Sequence, residues 1–544
     1  MNRDEAIERL AARRTPWDMV VIGGGATGLG IALDAATRGY ETLLLERDDF
    51  AQATSSRSTK LLHGGVRYLR QGNLKLVMGA LRERGRVLAN APHLASEQPF
   101  VIPTYRRGES LYYGFGLGLY ERLAGRASLG RSRRLDAAET RRELPGLRAD
   151  GLRGGVLYHD GQFDDARLAV CLAASAWDHG ATPINYCQVT GLLRAGGAGT
   201  PVAGVVARDR ETGAEYEIPA RVVVNATGVF CDSIRRMAEP GAAALVAPSQ
   251  GAHIVLERRF LPGRNAIMVP KTDDGRVLFI IPWQNRLLVG TTDTPVEDAE
   301  AEPRAQPAEI DFLLEHAGRY LQEAPRRQDV LSVFAGLRPL VRAGSGRATS
   351  ALARDHLLRE ESGLVSITGG KWTTYREMAE QTVDAAARVA QLPGRPCRTA
   401  NLPLHGATAD AAPTPLRVYG TDAGAVQALA SGQARPDWAV RLHPRLPYIG
   451  AEVVWAVRHE MARSVQDVLA RRTRALLLDA RASIEAAPRV ASLLAGALGR
   501  DAAWQTHEVA AFTEFALGYL TPEILAADFP STPAARAQRR RHTK

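Results

Sequence analysis

The segment Thr54–Leu69, TSSRSTKLLHGGVRYL, concentrates hydrogen-bonding side chains in a short space. Thr54, Ser55, Ser56, Ser58 and Thr59 bring hydroxyls, and Arg57, Lys60 and Arg67 bring cations. His63 precedes the pair Gly64-Gly65. Such a run suits a ligand with many polar edges. Upstream, Gly23, Gly25 and Gly28 spell G-x-G-x-x-G, and Glu46 follows Gly28 by eighteen residues. In that pattern Gly23 permits a tight turn and Gly25 lets the backbone approach a pyrophosphate. Gly28 lets a helix pack on a strand, and the helix N-terminus faces the phosphates. Glu46 stands where a carboxylate accepts hydrogen bonds from an adenosine ribose.

Two later stretches have the same character. NATG, Asn225–Gly228, closes an apolar run with the small residues Ala226 and Gly228, as needed where backbone touches a cofactor. TGGKWTTYR, Thr368–Arg376, opens a helix with Gly369 and Gly370, followed by Lys371 and Thr373. A helix N-terminus there can stabilise negative charge on a reduced flavin. The fingerprint admits NAD or FAD. An NAD enzyme continues its alternating strand–helix pattern after Glu46, whereas this chain enters the hydroxyl-rich run. FAD, with its ribityl chain and polar ring edges, fits better. A nicotinamide enzyme that also held a flavin would need a second glycine fingerprint with its own acid, and the chain does not show one.

The elements that must carry these residues are readable. Met19–Ile22, Leu29–Thr37 and Glu41–Leu45 predict strand, helix and strand. Arg221–Asp232 predicts a strand running into a glycine turn. Gly275–Asp293 predicts two strands joined at Gln284-Asn285. Gly363–Leu392 predicts a strand, the glycine pair and a long helix. Ala407–Pro415 reads as a linker, and amphipathic helical patterns follow to about Asp528.

Composition limits the function classes. A chain of 544 residues exceeds one core and predicts about two to four units. At 45% hydrophobic and 24% charged it reads as globular. Cys171, Cys187, Cys231 and Cys397 form no C-x-x-C pair, which argues against a disulfide scaffold or a metal site. The charged N-terminus lacks the apolar core of a secretory signal, and no run reaches the ~18 apolar residues of a spanning helix. A net charge of +10 suits an anionic substrate or an anionic membrane surface. No zinc-finger or RNP pattern points to nucleic acid. In Tyr105–Arg134, aromatic and leucine residues lie between arginine clusters, the composition of a segment that dips into a headgroup region, or else of a core helix.

The run VVIGGGATGLGIALDAATRGYETLLLERDDFAQATSSRSTKLLHGGVRYL resembles the FAD-dependent glycerol-3-phosphate dehydrogenases, of the D-amino-acid-oxidase-like FAD superfamily. So do VNATG, GAHIVL, LFIIPW, VGTTD, GLRPLV and GGKWTTYR, in the family's order, and PRLPYIGAEVVWAVRHEMARSVQDVLARRTRALLLD near the C-terminus. The resemblance implies an α/β (α+β) chain: a Rossmann-like FAD-binding domain of glutathione-reductase type, a mixed-sheet substrate domain and a C-terminal helical domain. The expected bounds are 15–95 with 160–245 and 335–392 for the FAD domain. The substrate domain takes 96–159 with 246–334, the helical cap 400–530, and a basic tail 531–544.

The implied reaction is oxidation of glycerol 3-phosphate at C2 to dihydroxyacetone phosphate, with hydride passing to flavin N5 and electrons to a membrane quinone. The alternatives are an oxidase that uses oxygen, or a related FAD oxidase of another small substrate. By resemblance Arg67, Arg338, Arg354 and Lys371 line the substrate site, where a phosphate dianion needs fixed cations. His253 matches the active-site histidine, Tyr68 orients substrate, and Ser56, Ser58, Lys60, His63, Gly64 and Gly65 belong to the flavin side. The family often carries a lysine where this chain has Gln250, which predicts less positive potential at the substrate entrance. The implied location is cytoplasmic, peripheral on the inner face of the cell membrane, with a homodimer by analogy alone.

Overall fold

The computed structural model describes residues 1–65, 73–197, 199–342, 356–410, 415–432 and 435–529. Trp17–Ile22 is apolar but for the half-buried Asp18 near its start, and its hydrophobic side chains are buried. Its consecutive apolar residues Met19–Ile22 suit the middle of a parallel sheet covered by helices on both faces. It pairs in parallel with Glu215–Asn225 on one side and Thr42–Leu45 on the other. The sheet runs His356–Glu361, Leu364–Gly369, Glu215–Asn225, Trp17–Ile22, Thr42–Leu45, Thr182–Ile184. Cys187–Arg194 and Val202–Asp209 extend it through an antiparallel ladder.

The helix Ala26–Thr37 packs against both Asp165–Asp178 and Tyr375–Val389. Its small residues allow close approach: a Cβ on Gly30 would lie 2.8 Å from the Tyr375 ring. The helix begins three residues earlier than its apolar periodicity predicts, because Gly25 serves as the N-cap and the turn closes at once.

The second sheet is mixed. Its order is Thr294–Pro295, Val246–Glu257, Arg286–Gly290, Leu278–Trp283, Ala266–Val269, Ala95–Thr104, Gly154–Phe163, Leu61–Leu62. The predicted hairpin is present: Gln284 and Asn285 both take positive φ, 42° and 61°, as a two-residue turn between twisted strands requires. Ser332–Val341 pairs along the length of Val246–Glu257. These pairings bear on which sheet two strands join. Leu61–Leu62 and Ser332–Val341 belong to the second sheet, although the sequence reading put 61–62 and 335–341 with the FAD unit. Strand propensity does not say which sheet recruits a strand, and these two cross between the layers.

Beyond residue 440 the chain is mainly helical, including Gly450–Glu460, Ala480–Leu498 and Ala502–Leu517. It docks through buried ion pairs. Asp49 accepts from Arg471 Nε at 2.5 Å and from both terminal nitrogens of Arg472 at 2.7 and 2.9 Å. Arg167 and Glu460 form a bidentate pair at 2.8 and 2.7 Å. Asp49 sits in the loop after the second strand of the first sheet, so the helical region is anchored beside the dinucleotide fingerprint. The tail 531–544 lies outside the described residues.

Candidate active site

Two cavities share a wall. One, of about 250 Å³, is lined by Gly23, Gly25, Glu46, Ala226, Gly228 and Gly369, among others. The other, of about 300 Å³, is lined by His253, Arg338, His63, Gly65, Thr59 and Arg276, among others. Thr54, Pro339, Gly370, Lys371 and Trp372 line both. The result is one trough, running from the glycine fingerprint to the second sheet.

The first end fits a dinucleotide. Gly23 has φ 107°, and a Cβ on Gly28 would lie 1.9 Å from the Gly23 carbonyl oxygen, so turn and helix meet at glycines that cannot be replaced without movement. Gly25 offers no capping side chain, and among the described residues the cap role falls to Ser55, whose Oγ accepts from Ala26 N at 2.9 Å. The opening turn of the helix therefore faces the cavity. Glu46 holds the turn from the far side, accepting from Gly24 N at 2.6 Å and Asp48 N at 2.9 Å. Burial pushes its carboxyl up to about 6, against the pull of those two amides. Gly369 and Gly370 take φ of 82° and 74°, which turns the strand Leu364–Gly369 away before the helix Tyr375–Val389 begins. Trp372 Nε1 donates to Ser55 O at 2.8 Å and ties this turn to the hydroxyl-rich segment.

The second end is polar on one side and apolar on the other, where Phe100, Tyr158, Met268 and Phe279 stand. Arg338 is clamped: Nη2 donates to Thr291 Oγ1 and Thr292 O, both at 2.9 Å, and Nη1 to Gln250 O at 3.2 Å and Asp293 at 3.3 Å. Gly251 makes room for it, since a Cβ there would lie 2.3 Å from Arg338 Nη2. His253 is 2% exposed and stacks on Phe334 with ring centroids 4.8 Å apart. Its Nε2 lies 2.9 Å from Thr59 Oγ1. Burial first, and then the charges of Lys60 and Arg338, hold the imidazole well below its ordinary pKa, so the ring is neutral.

Several expected residues take other places. Ser56 and Lys60 line neither cavity. Lys60 is fully buried beneath the trough, with Nζ 2.6 Å from Asp165 and 2.9 Å from Ser56 O. Desolvation brings its ammonium down to about 7 despite that carboxylate. Gly64 is also behind the wall, its N–H donating to Tyr120 Oη at 2.7 Å. Ser58 and His63 line the second cavity, Ser58 with N and Oγ on Asp165 at 3.0 and 2.7 Å. Thr373 lines the second cavity as well.

The Gln250 reading is corrected. On its strand the side chain points away from the cavity that Gly251 and His253 line. Its Nε2 donates to Glu309 at 2.7 Å and Arg304 O at 3.0 Å. Arg67, Tyr68 and Arg354 lie outside the described residues. The sequence reading missed Ser55, Asp165, Arg276, Gly290 and Thr291. VGTTD carried a signal for Gly290 and Thr291, as a tight run of small polar residues after a strand; Asp165 and Arg276 look like ordinary surface charges.

The helix Glu109–Ala124 presents Leu111, Tyr112 and Phe115 at 64%, 61% and 81% exposure. Leu74 and Met78 of the helix Leu74–Asn90, which packs against it, are also exposed. Arg106, Arg107, Arg131 and Arg134 in the flanking segments are exposed, and Arg134 lies close to Gly114 of the helix. Among the described residues no helix is long and apolar enough to cross a membrane.

A parallel-sheet glycine fingerprint with its acid, opening onto a cationic pocket on a second mixed sheet, fits an FAD-dependent oxidoreductase. The family of that description matches residues 18–376, and the C-terminal domain of alpha-glycerophosphate oxidase matches residues 364–505. The chain is 40% identical to the mitochondrial glycerol-3-phosphate dehydrogenase of Homo sapiens over 93% of its own length and 74% of that protein's. It is also 40% identical to the mitochondrial enzyme SDP6 of Arabidopsis thaliana, over 93% and 86%. The solved glycerol-3-phosphate dehydrogenase of Bacillus halodurans, complexed with FAD, superposes with a TM-score of 0.77 at 29% identity, covering 96% of this chain and 98% of that one. The chain belongs to the FAD-dependent glycerol-3-phosphate dehydrogenase family. Its cofactor is FAD.

Proposed function

We propose that the protein oxidises glycerol 3-phosphate at C2 to dihydroxyacetone phosphate and passes the electrons to a membrane quinone. The observation that carries this reading is the convergence of a clamped Arg338, Lys371 and a neutral, buried His253 on one cavity that shares its wall with the dinucleotide site.

Gly23, Gly25 and the first turn of Ala26–Thr37 would hold the pyrophosphate, Glu46 the ribose, and Gly369–Lys371 the ring end. Bound FAD supplies the two-electron acceptor for the C2 hydride and the route onward to the quinone. The protein's own residues do the rest. Arg338 and Lys371, with Arg67 and Arg354, bind the phosphate dianion; Arg338 does so with little loss of side-chain freedom, because its clamp is already made. His253 takes the proton of the C2 hydroxyl. The dianion offsets the charges of Lys60 and Arg338 and raises the proton affinity of the ring when substrate is present. Tyr68 orients the substrate.

The exposed Leu111, Tyr112 and Phe115, on a helix flanked in sequence by exposed arginines, support peripheral docking on an anionic bilayer, and with it a lipid-borne acceptor. The test measures glycerol 3-phosphate oxidation without oxygen, with a quinone analogue as acceptor, and then in air without the analogue. Turnover with quinone and little peroxide in air is expected. Rapid peroxide release would instead make it an oxidase. Sedimentation with anionic vesicles at low salt, lost in Phe115→Asp, is the expected result for docking; protein remaining in the supernatant would exclude it.

A further inference from the structure

His253 can exchange a proton at one atom only. Its Nδ1 is buried and has no hydrogen-bond partner among the described residues. One ring face is covered by Phe334, with an interplanar angle of 10°. The edge carrying Cδ2 lies against Gly290, where even a Cβ would come within 2.0 Å of the ring. These contacts bound the ring on one face and one edge. The remaining atom, Nε2, has Thr59 Oγ1 at 2.9 Å. Thr59 lines the cavity and is partly exposed to it.

The turn that carries Thr59 is pinned from below. Ser58 donates N–H and Oγ–H to Asp165, and Lys60 N donates to Ser58 Oγ at 3.0 Å. Lys60 Nζ closes on the same carboxylate, with Lys60 at a φ of 62° that places its side chain under the turn and Thr59 above it. Arg474 adds a second cation to Asp165 at 2.9 Å. The Thr59 hydroxyl is therefore fixed between His253 and the open cavity.

We infer that Thr59 is a catalytic residue that relays the proton from the substrate hydroxyl to His253. The inference rests on the proposed alcohol oxidation. In the step, the substrate O–H bond breaks and its proton joins Thr59 Oγ. The Thr59 proton moves at the same time to the Nε2 lone pair, forming the N–H bond of an imidazolium. The electron pair freed on the substrate oxygen forms the carbonyl as C2 gives up hydride to the cofactor. The relay needs Nε2 to be the acceptor before reaction, so the resting ring carries its proton on Nδ1.

The first test reads the tautomer directly, by nitrogen NMR of the holoenzyme labelled at histidine, with His253→Gln assigning the signal. An acceptor nitrogen at Nε2 and N–H at Nδ1 are expected. N–H at Nε2 overturns the relay, whatever the substrate proves to be. The second test compares Thr59→Val and Thr59→Ser, whose bound-cofactor absorption reports folding and loading. The rate at which glycerol 3-phosphate bleaches that absorption is expected to fall about 100-fold in Thr59→Val, the scale of a lost proton-transfer group, and to recover most of the way in Thr59→Ser. A Thr59→Val protein with the wild-type rate, or a Thr59→Ser protein as slow as Thr59→Val, overturns the relay. If the wild type itself does not bleach, the substrate assignment fails, while the tautomer measurement still decides the geometry.

Discussion

His253 and Gly290 face each other across the antiparallel pair formed by Val246–Glu257 and Arg286–Gly290, and the imidazole fills the space a side chain at 290 would take. The same strand carries Gly251, where the missing Cβ is occupied by the Arg338 guanidinium. Two glycines on neighbouring strands thus make room for two different functional groups.

This separation predicts different kinetic signatures. Gly290→Ala pushes the His253 ring off Thr59 and lowers kcat by about 100-fold, with bound FAD retained. Gly251→Ala displaces the Arg338 fork and raises KM for glycerol 3-phosphate roughly 10- to 100-fold, the scale of a charged hydrogen bond lost. Steady-state kinetics on the two variants checks the split. Equal changes in both constants for both variants would refute it.

His253 is held neutral by burial and by Lys60 and Arg338, well below the usual 6.5. A base with a lowered pKa is in its working, deprotonated form at every pH above that value. The rate of substrate-driven cofactor bleaching at saturating substrate is therefore expected to show no step centred near 6.5 as pH is lowered from about 8 to below 6. A fall centred near the ordinary histidine value would show a solvated ring.

Glu46 is raised to about 6 from 4.5. It is ionised above that pH and protonated below it, so it loses acceptor capacity for the ribose hydroxyls as pH falls through 6. FAD uptake by the apoprotein should weaken between about pH 7 and 5, and Glu46→Gln should remove that pH dependence while weakening uptake at pH 7.5. Titration followed by flavin fluorescence checks both.

Asp49 is held below its usual 3.8 by Arg472 and Arg471, which outweigh its burial. The stability it contributes is fully present above about pH 4 and is lost only as pH falls further. Asp49→Asn removes the carboxylate shared by two buried guanidinium groups, leaving Arg471 on Asp467 and Arg472 on Glu460, and is expected to cost about 3 kcal/mol of docking of the helical region, seen as a separate, earlier unfolding transition. An unchanged melting curve would contradict the anchoring role.

Much of the dinucleotide end is legible because its constraints are local. Gly23, Gly25, Gly28 and Glu46 lie within one strand–helix–strand unit, and the spacing itself encodes the geometry. His253 and Arg338 are legible by resemblance to the family. What the sequence hides is long-range. Lys60 looks like a cofactor ligand in its polar run, yet Asp165, more than a hundred residues away, draws its ammonium beneath the floor. Gln250 looks like a missing entrance charge, but the two-residue alternation of its strand turns it toward Glu309. Thr59 is one hydroxyl among several until the ring opposite it is placed.

The most direct test is an anaerobic spectrum of the purified holoenzyme before and after glycerol 3-phosphate. Loss of the oxidised flavin bands with glycerol 3-phosphate, but not with glycerol or an amino acid, is the result expected of a dinucleotide trough that ends at Arg338, Lys371 and His253. Bands that persist with glycerol 3-phosphate would leave the fold and cofactor in place and contradict the substrate.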